Sequence, residues 1–141
     1  MTEKRLTLCL DFDGVLHSYT SGWQGAETVA DPPVDGAIEF LLKAVRYFDV
    51  AIYSSRSHQE GRIVAMRDAL HRWMVEDNVP PAMAHGLLNG IDTFPFKYPA
   101  PITFPLEKPA AHVTLDDRAW RFRGEWPRMD DLLAFKPWNK E

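Results

Sequence analysis

The apolar positions in the first half of the chain fall into two rhythms. Leu6-Thr7-Leu8-Cys9-Leu10 is a short, nearly unbroken apolar run that stops at Asp11, and it predicts a strand over 6–10. Val34, Ile38, Leu41, Val45 and Phe48 recur at helical spacing, which predicts a helix with one buried stripe. Between them, Gly14, Gly22, Gly25, Pro32 and Pro33 stand among polar and aromatic residues, the pattern of an irregular loop or short hairpin. Val50-Ala51-Ile52-Tyr53 predicts a second strand, ending in Ser54-Ser55-Arg56.

Ser57-His58-Gln59-Glu60 has the S-x-x-E form of a capping box. The helix it opens carries Ile63, Met66, Leu70 and Trp73, and has run out by Pro80-Pro81. Residues 78–101 hold many prolines and little periodicity, and read mostly as loop. Ile102-Thr103-Phe104 suggests a short strand, and Ala111-His112-Val113-Thr114-Leu115 a better one ending in Asp116-Asp117. A brief strand from Trp120 to Phe122 and a helix from about Pro127 follow. Strands alternating with helices predict an α/β fold, a three-layer, mostly parallel Rossmann-like sheet with helices on both faces. At 141 residues one domain is expected, with no separate cap.

Bulk properties narrow the picture only a little. The composition, 45% hydrophobic and 26% charged, is that of an ordinary globular protein. A net charge of −4 argues against coating DNA through a general basic field, so nucleic acid enters only as a possible substrate. No apolar run approaches the roughly eighteen residues that cross a bilayer. The run 6–10 is too short for a signal-peptide core, so no membrane partner is expected and a cytoplasmic location is. Cys9 is the single cysteine and reads as a small buried hydrophobe.

The candidate chemistry lies where strands end. Asp11 and Asp13 are two residues apart, so on an extended chain they point the same way. Ser54 follows the second strand, Lys108 precedes the strand 111–115, and Asp116 and Asp117 follow it. In a parallel sheet ligands bind beyond the carboxyl ends of the strands, and these residues meet at one rim. Two carboxylates there repel by about 4 kcal/mol at 4 Å and an effective dielectric near 20. A hard divalent cation relieves that repulsion, and an oxygen-only ligand set favours Mg²⁺ over Zn²⁺. Lys108 and the Ser54 hydroxyl suit the oxygens of a phosphoryl group.

In this order the motifs resemble those of the haloacid dehalogenase (HAD) superfamily of phosphohydrolases. Asp11-Phe12-Asp13-Gly14-Val15-Leu16 is similar to the first motif and Val50-Ala51-Ile52-Tyr53-Ser54 to the second. Lys108 stands for the third, and Leu115-Asp116-Asp117-Arg118 for the fourth. The resemblance implies a Mg²⁺-dependent phosphatase with Asp11 as nucleophile, forming an aspartyl-phosphate, and Asp13 as acid and base. It implies that the metal is held by Asp11, the Asp13 carbonyl and Asp116, with Asp117 in support, and that Ser54 and Lys108 hold the phosphoryl group. It also implies a flap inserted after the first motif, a role that residues 15–31 fit.

Some alternatives stay open at this level. Ser55 rivals Ser54. Lys97 or Arg56 rivals Lys108, which lies only eight residues before Asp116. Trp23 is the suggestive flap residue, for covering the site or for packing, and His17 lies close to the first motif. Arg118 is expected in a structural salt bridge. Trp120, Trp126 and Trp138, near Phe122 and Phe135, read as a C-terminal packing cluster, with Arg121, Arg123 and Arg128 on a solvated face. A cap-less rim admits a nucleotide, a nucleic-acid end, a sugar phosphate or a phosphoprotein. The rival function is a phosphate-responsive regulatory or binding module of the same fold without efficient turnover.

Overall fold

The computed structural model describes residues 5–58, 60–90 and 101–140. Along the chain run β1 (Thr7–Leu10), α1 (Ala37–Ala44), β2 (Asp49–Ile52), a 3₁₀ turn (Ser55–His58), α2 (Glu60–Glu76), α3 (Pro81–Asn89), β3 (Val113–Leu115), α4 (Met129–Leu133) and a final 3₁₀ turn (Trp138–Lys140). The three strands form one parallel sheet in the order β2-β1-β3. The segment 102–104 contributes one parallel bridge, Thr103 to Ala51. Residues 120–122 form no strand. The class is therefore α/β with a small parallel sheet.

Side-chain alternation explains where the core sits. Leu8 and Leu10 of β1 are in register with Val50 and Ile52 of β2, and all four join Ile38 and Leu41, Met66, Leu70 and Trp73, and Met83 and Leu87 in one buried cluster. The helices α1, α2 and α3 thus share a core with one side of β1 and β2. Cys9 and Ala51 alternate to the opposite side and are also buried. Among the described residues no helix is long and apolar enough to cross a membrane.

One local expectation needs correction. Pro80-Pro81 opens a helix: Pro81 sits at its first position, where the missing N–H has no helical partner to lose. Met83, Ala84, Leu87 and Leu88 are buried at helical spacing, so part of the segment read as loop is α3. The Ser57 hydroxyl accepts from the Ser54 N–H at 3.0 Å, which closes the 3₁₀ turn; the capping box expected over 57–60 falls partly outside the described residues.

The C-terminal third departs further. Val113 and Leu115 are in register with Leu8 and Leu10, yet both are exposed at the edge of the sheet, with α1 reaching only as far as a groove beside Leu115. The aromatic cluster expected to pack there does not form a core. Trp120, Phe122, Trp126 and Phe135 are exposed. Trp138 is half exposed too, but its indole N–H donates to the Gly14 carbonyl at 2.7 Å.

Candidate active site

Parallel pairing decides which acids meet. β1 and β3 are neighbours that end level, Leu10 opposite Leu115, and the Asp11 N–H continues the ladder to the Leu115 carbonyl at 3.0 Å. Asp11 and Asp116-Asp117 therefore leave the sheet side by side, where the strand order switches direction. One carboxylate oxygen from each of Asp11, Asp116 and Asp117 lies within 4.8 Å of the others. This all-oxygen, anionic donor set fits a hard divalent cation, so the three acids can hold a metal ion.

The electrostatics bear the mark of that crowding. Burial, then the charge of Asp116, pushes Asp11 up to about 8, although the Phe12 N–H donates to its Oδ1 at 2.8 Å. Asp117 is also raised, by its own burial and by Asp116, while its hydrogen bond to Asp11 pulls the other way. Both carboxyls of the pair are thus held above their ordinary range.

Asp13 faces a different environment. Its Oδ1 is 2.8 Å from His17 Nδ1 and its Oδ2 accepts from Arg56 Nε at 2.8 Å. His17 Nε2 accepts from the Asp31 N–H at 3.1 Å, so the ring proton sits on Nδ1 and points at Asp13. Burial pushes Asp13 up, but the hydrogen bonds from His17 and Arg56 and the positive charge of Arg56 outweigh it and leave the carboxyl below its ordinary value. Two carboxylates two residues apart thus have opposite tendencies.

Arg56 is the hub of this arrangement. It is 1% exposed, and besides Asp13 it donates to the carbonyls of Ala26 at 2.8 Å and Thr28 at 2.9 Å. It also lies against the Phe12 and Trp23 rings, 5.8 and 5.3 Å from their centroids. One guanidinium therefore ties the flap to the first motif. Within the flap, Asp31 accepts from the Ser21 N–H and hydroxyl at 2.9 and 2.6 Å.

Gly14 closes the loop after the acids. Its φ is +82°, and a Cβ there would run into the Asp117 carboxylate. Gly14→Ala is expected to destabilise the fold by about 1–3 kcal/mol through the left-handed backbone alone. It should also push Asp117 out of the acid cluster, so Mg²⁺ affinity measured by calorimetry falls more than stability does. An unchanged affinity would show that Asp117 does not contribute to holding a cation.

The acids open into a cleft of about 180 Å³ lined by Asp11, Asp13, Tyr19, Trp23, Ser55, Asp117 and Arg118. Of the two serines after β2, Ser55 is thus the one on the cleft wall. Ser54 is buried in the turn, its Oγ accepting from the Arg56 N–H at 3.0 Å. Lys108 is exposed on the segment before β3 and is not among the residues that line the cleft. Lys97 lies outside the described residues. Arg118 makes no ion pair among the described residues; its backbone N–H donates to Asp116 Oδ1 at 2.8 Å and it forms part of the cleft mouth.

The sequence reading passed over the clamp on Asp13. Its only local signal was a histidine four positions after an acid, at a loop bend. No protein-family model, curated protein or solved structure matches the chain.

Proposed function

We propose that this protein is a HAD-type phosphohydrolase that cleaves phosphomonoesters through an aspartyl-phosphate on Asp11. The observation that carries the reading is the convergence of Asp11, Asp116 and Asp117 within 4.8 Å at the ends of adjacent parallel strands. A Mg²⁺ ion held by these three acids would supply the positive charge that offsets repulsion between a carboxylate nucleophile and a phosphate dianion. The reading extends to the fold, a three-layer, mostly parallel Rossmann-like domain with helices on both faces of the sheet.

The residues divide the work by their environments. Asp11 Oδ2 attacks phosphorus while the bond to the leaving oxygen breaks; its Oδ1 stays fixed by the Phe12 N–H. Asp13, held as a carboxylate, takes a proton from water as that water attacks phosphorus and the Asp11 oxygen departs. For the first half Asp13 must already carry a proton to give to the leaving oxygen, which His17 and Arg56 disfavour. Esters with good leaving groups, such as p-nitrophenyl phosphate, need no such proton and should turn over fastest. Ser55 and Arg118, on the cleft wall, are the groups available to the phosphoryl oxygens.

The same clamp supports a second reading, a phosphate-responsive module. A carboxylate held anionic by two donors is a poor acid towards an unactivated leaving oxygen, so it favours phosphorylation of Asp11 from an activated donor over turnover of ordinary esters. One experiment separates the two: phosphate release from a panel of phosphoesters, with and without Mg²⁺. The phosphatase reading expects Mg²⁺-dependent release well beyond one phosphate per protein. A single stoichiometric phosphorylation that persists supports the module, and hydrolysis that needs no metal overturns the phosphatase reading.

A further inference from the structure

Resting on the phosphohydrolase reading above, we infer that the phosphoryl group is delivered at the end of a single-stranded nucleic acid, and that the segment 118–128 grips the strand behind it. The segment starts one residue after Asp117, and its first residue, Arg118, forms part of the cleft mouth. From there it interleaves cations and rings: Arg118, Trp120, Arg121, Phe122, Arg123, Trp126 and Arg128. A strand leaving the site meets this segment first.

The rings are not core. Trp120, Phe122 and Trp126 are 47%, 54% and 87% exposed, although aromatic side chains are among those that gain most from burial. Phe122 and Trp126 touch each other, centroids 4.9 Å apart and tilted by 50°, and leave their other faces open. Arg121 and Arg123 are exposed and make no ion pair among the described residues. Arg128 is partly neutralised by Asp130 at 3.6 Å. Residues 118–128 carry four arginines and one glutamate, a local excess of +3 in a chain whose total is −4.

Charge and ring together select the ligand class. Open aromatic faces accept any base by stacking, and arginines between them neutralise the phosphates that join those bases. A phosphopeptide brings one phosphate and has no repeating anion for the further arginines. A bilayer would need the rings at one depth beneath a rim of cations, whereas here the two alternate along the chain. Across the cleft, Tyr19 and Trp23 offer rings beside the acids for the terminal nucleotide. A free nucleotide has the same terminal chemistry but does not reach residues 120–128, and that difference makes the inference testable.

The test uses the full chain with Mg²⁺ and compares p-nitrophenyl phosphate, a mononucleotide, and single-stranded octamers phosphorylated at either end. At least one octamer should show a KM about tenfold below the mononucleotide, the scale of one stacked base. The double variant R121A/R123A should raise that KM about tenfold and lessen its log–log salt slope by about 1.4. Its p-nitrophenyl phosphate kinetics should not change, which also reports that it folds. Trp126→Ala should weaken the octamer alone. Equal KM for mononucleotide and octamers, or variants without effect on the octamer, would overturn the inference and leave the phosphatase reading standing. Binding of a labelled octamer to Asp11→Asn, followed by fluorescence anisotropy, is independent of turnover. Salt-sensitive binding there that R121A/R123A weakens, without hydrolysis of any ester by the unmodified protein, would keep the nucleic-acid surface and sink the catalytic reading.

Discussion

Asp11→Asn should stop phosphate release, by on the order of 10⁵-fold or more as for other nucleophile replacements, and at the same time make the metal-free protein more stable at alkaline pH. The first effect follows from removing the attacking oxygen. The second follows from the crowding of acids. Asp11 is held up to about 8 in the fold, by burial and then by Asp116, against about 3.9 in an unfolded chain. Between those values the folded state keeps a proton that the unfolded state has lost. The stabilisation from that proton is complete below about pH 4 and is lost as pH rises through about 8. Asparagine keeps an oxygen for the Phe12 N–H, carries no charge, and is free of this dependence. Melting curves without metal at pH 5, 7 and 9 should show the variant and the unmodified protein diverging as pH rises, with the variant higher at pH 9. Mg²⁺ should raise the melting temperature of the unmodified protein more at pH 8.5 than at pH 6, because the cation competes with that proton. It should do little for Asp11→Asn. A variant less stable at every pH would show that the Asp11 carboxylate is not under electrostatic stress.

Arg56→Met is expected to be the most destabilising single substitution at the site, at about 3–5 kcal/mol. Methionine matches much of the volume and keeps the contacts with Phe12 and Trp23. It leaves Asp13 Oδ2 and the carbonyls of Ala26 and Thr28 without their donor in a closed environment. At about 2–4 °C per kcal/mol for a chain of this size, the melting temperature should fall by roughly 6–20 °C. Arg56→Lys should recover only part of this, because one ammonium does not reproduce the planar fork that reaches a carboxylate and the flap together. The loss should be largest near neutral pH and smaller in acid. Asp13 lies below its ordinary value in the fold, so the stability it contributes is present above the unfolded value and lost as pH falls through the folded one. A drop of only a degree or two would mean that the guanidinium is not the tie between flap and first motif.

The legible parts of the fold were those with a strong local period. β1, α1, β2 and α2 lie within a few residues of their expected positions, because alternation and helical spacing are written in adjacent side chains. α3 was obscured by Pro80-Pro81, which serves equally well to stop one helix and to start another; only burial of Leu87 and Leu88 decides between them. The aromatic residues near the C-terminus misled for a related reason. Hydrophobicity does not reveal whether a partner surface exists, and the described fold leaves Trp120 about half exposed and Trp126 almost wholly so.

The site divides the same way. That Asp11, Asp13, Asp116 and Asp117 follow strands is a property of the sequence, because a run of apolar residues ending in charge is a local pattern. That Asp11 joins Asp116 and Asp117 depends on β1 and β3 being neighbours in register. That Asp13 turns instead to His17 and Arg56 depends on a guanidinium 43 residues away finding burial under the flap. The turn after β2 likewise sends Ser55 to the cleft and Ser54 inward. The sequence by itself determined which groups are charged and where strands deliver them. Only the tertiary structure decided which of those charges share a cavity, because desolvation and hydrogen-bond competition act through space and leave no trace in spacing along the chain.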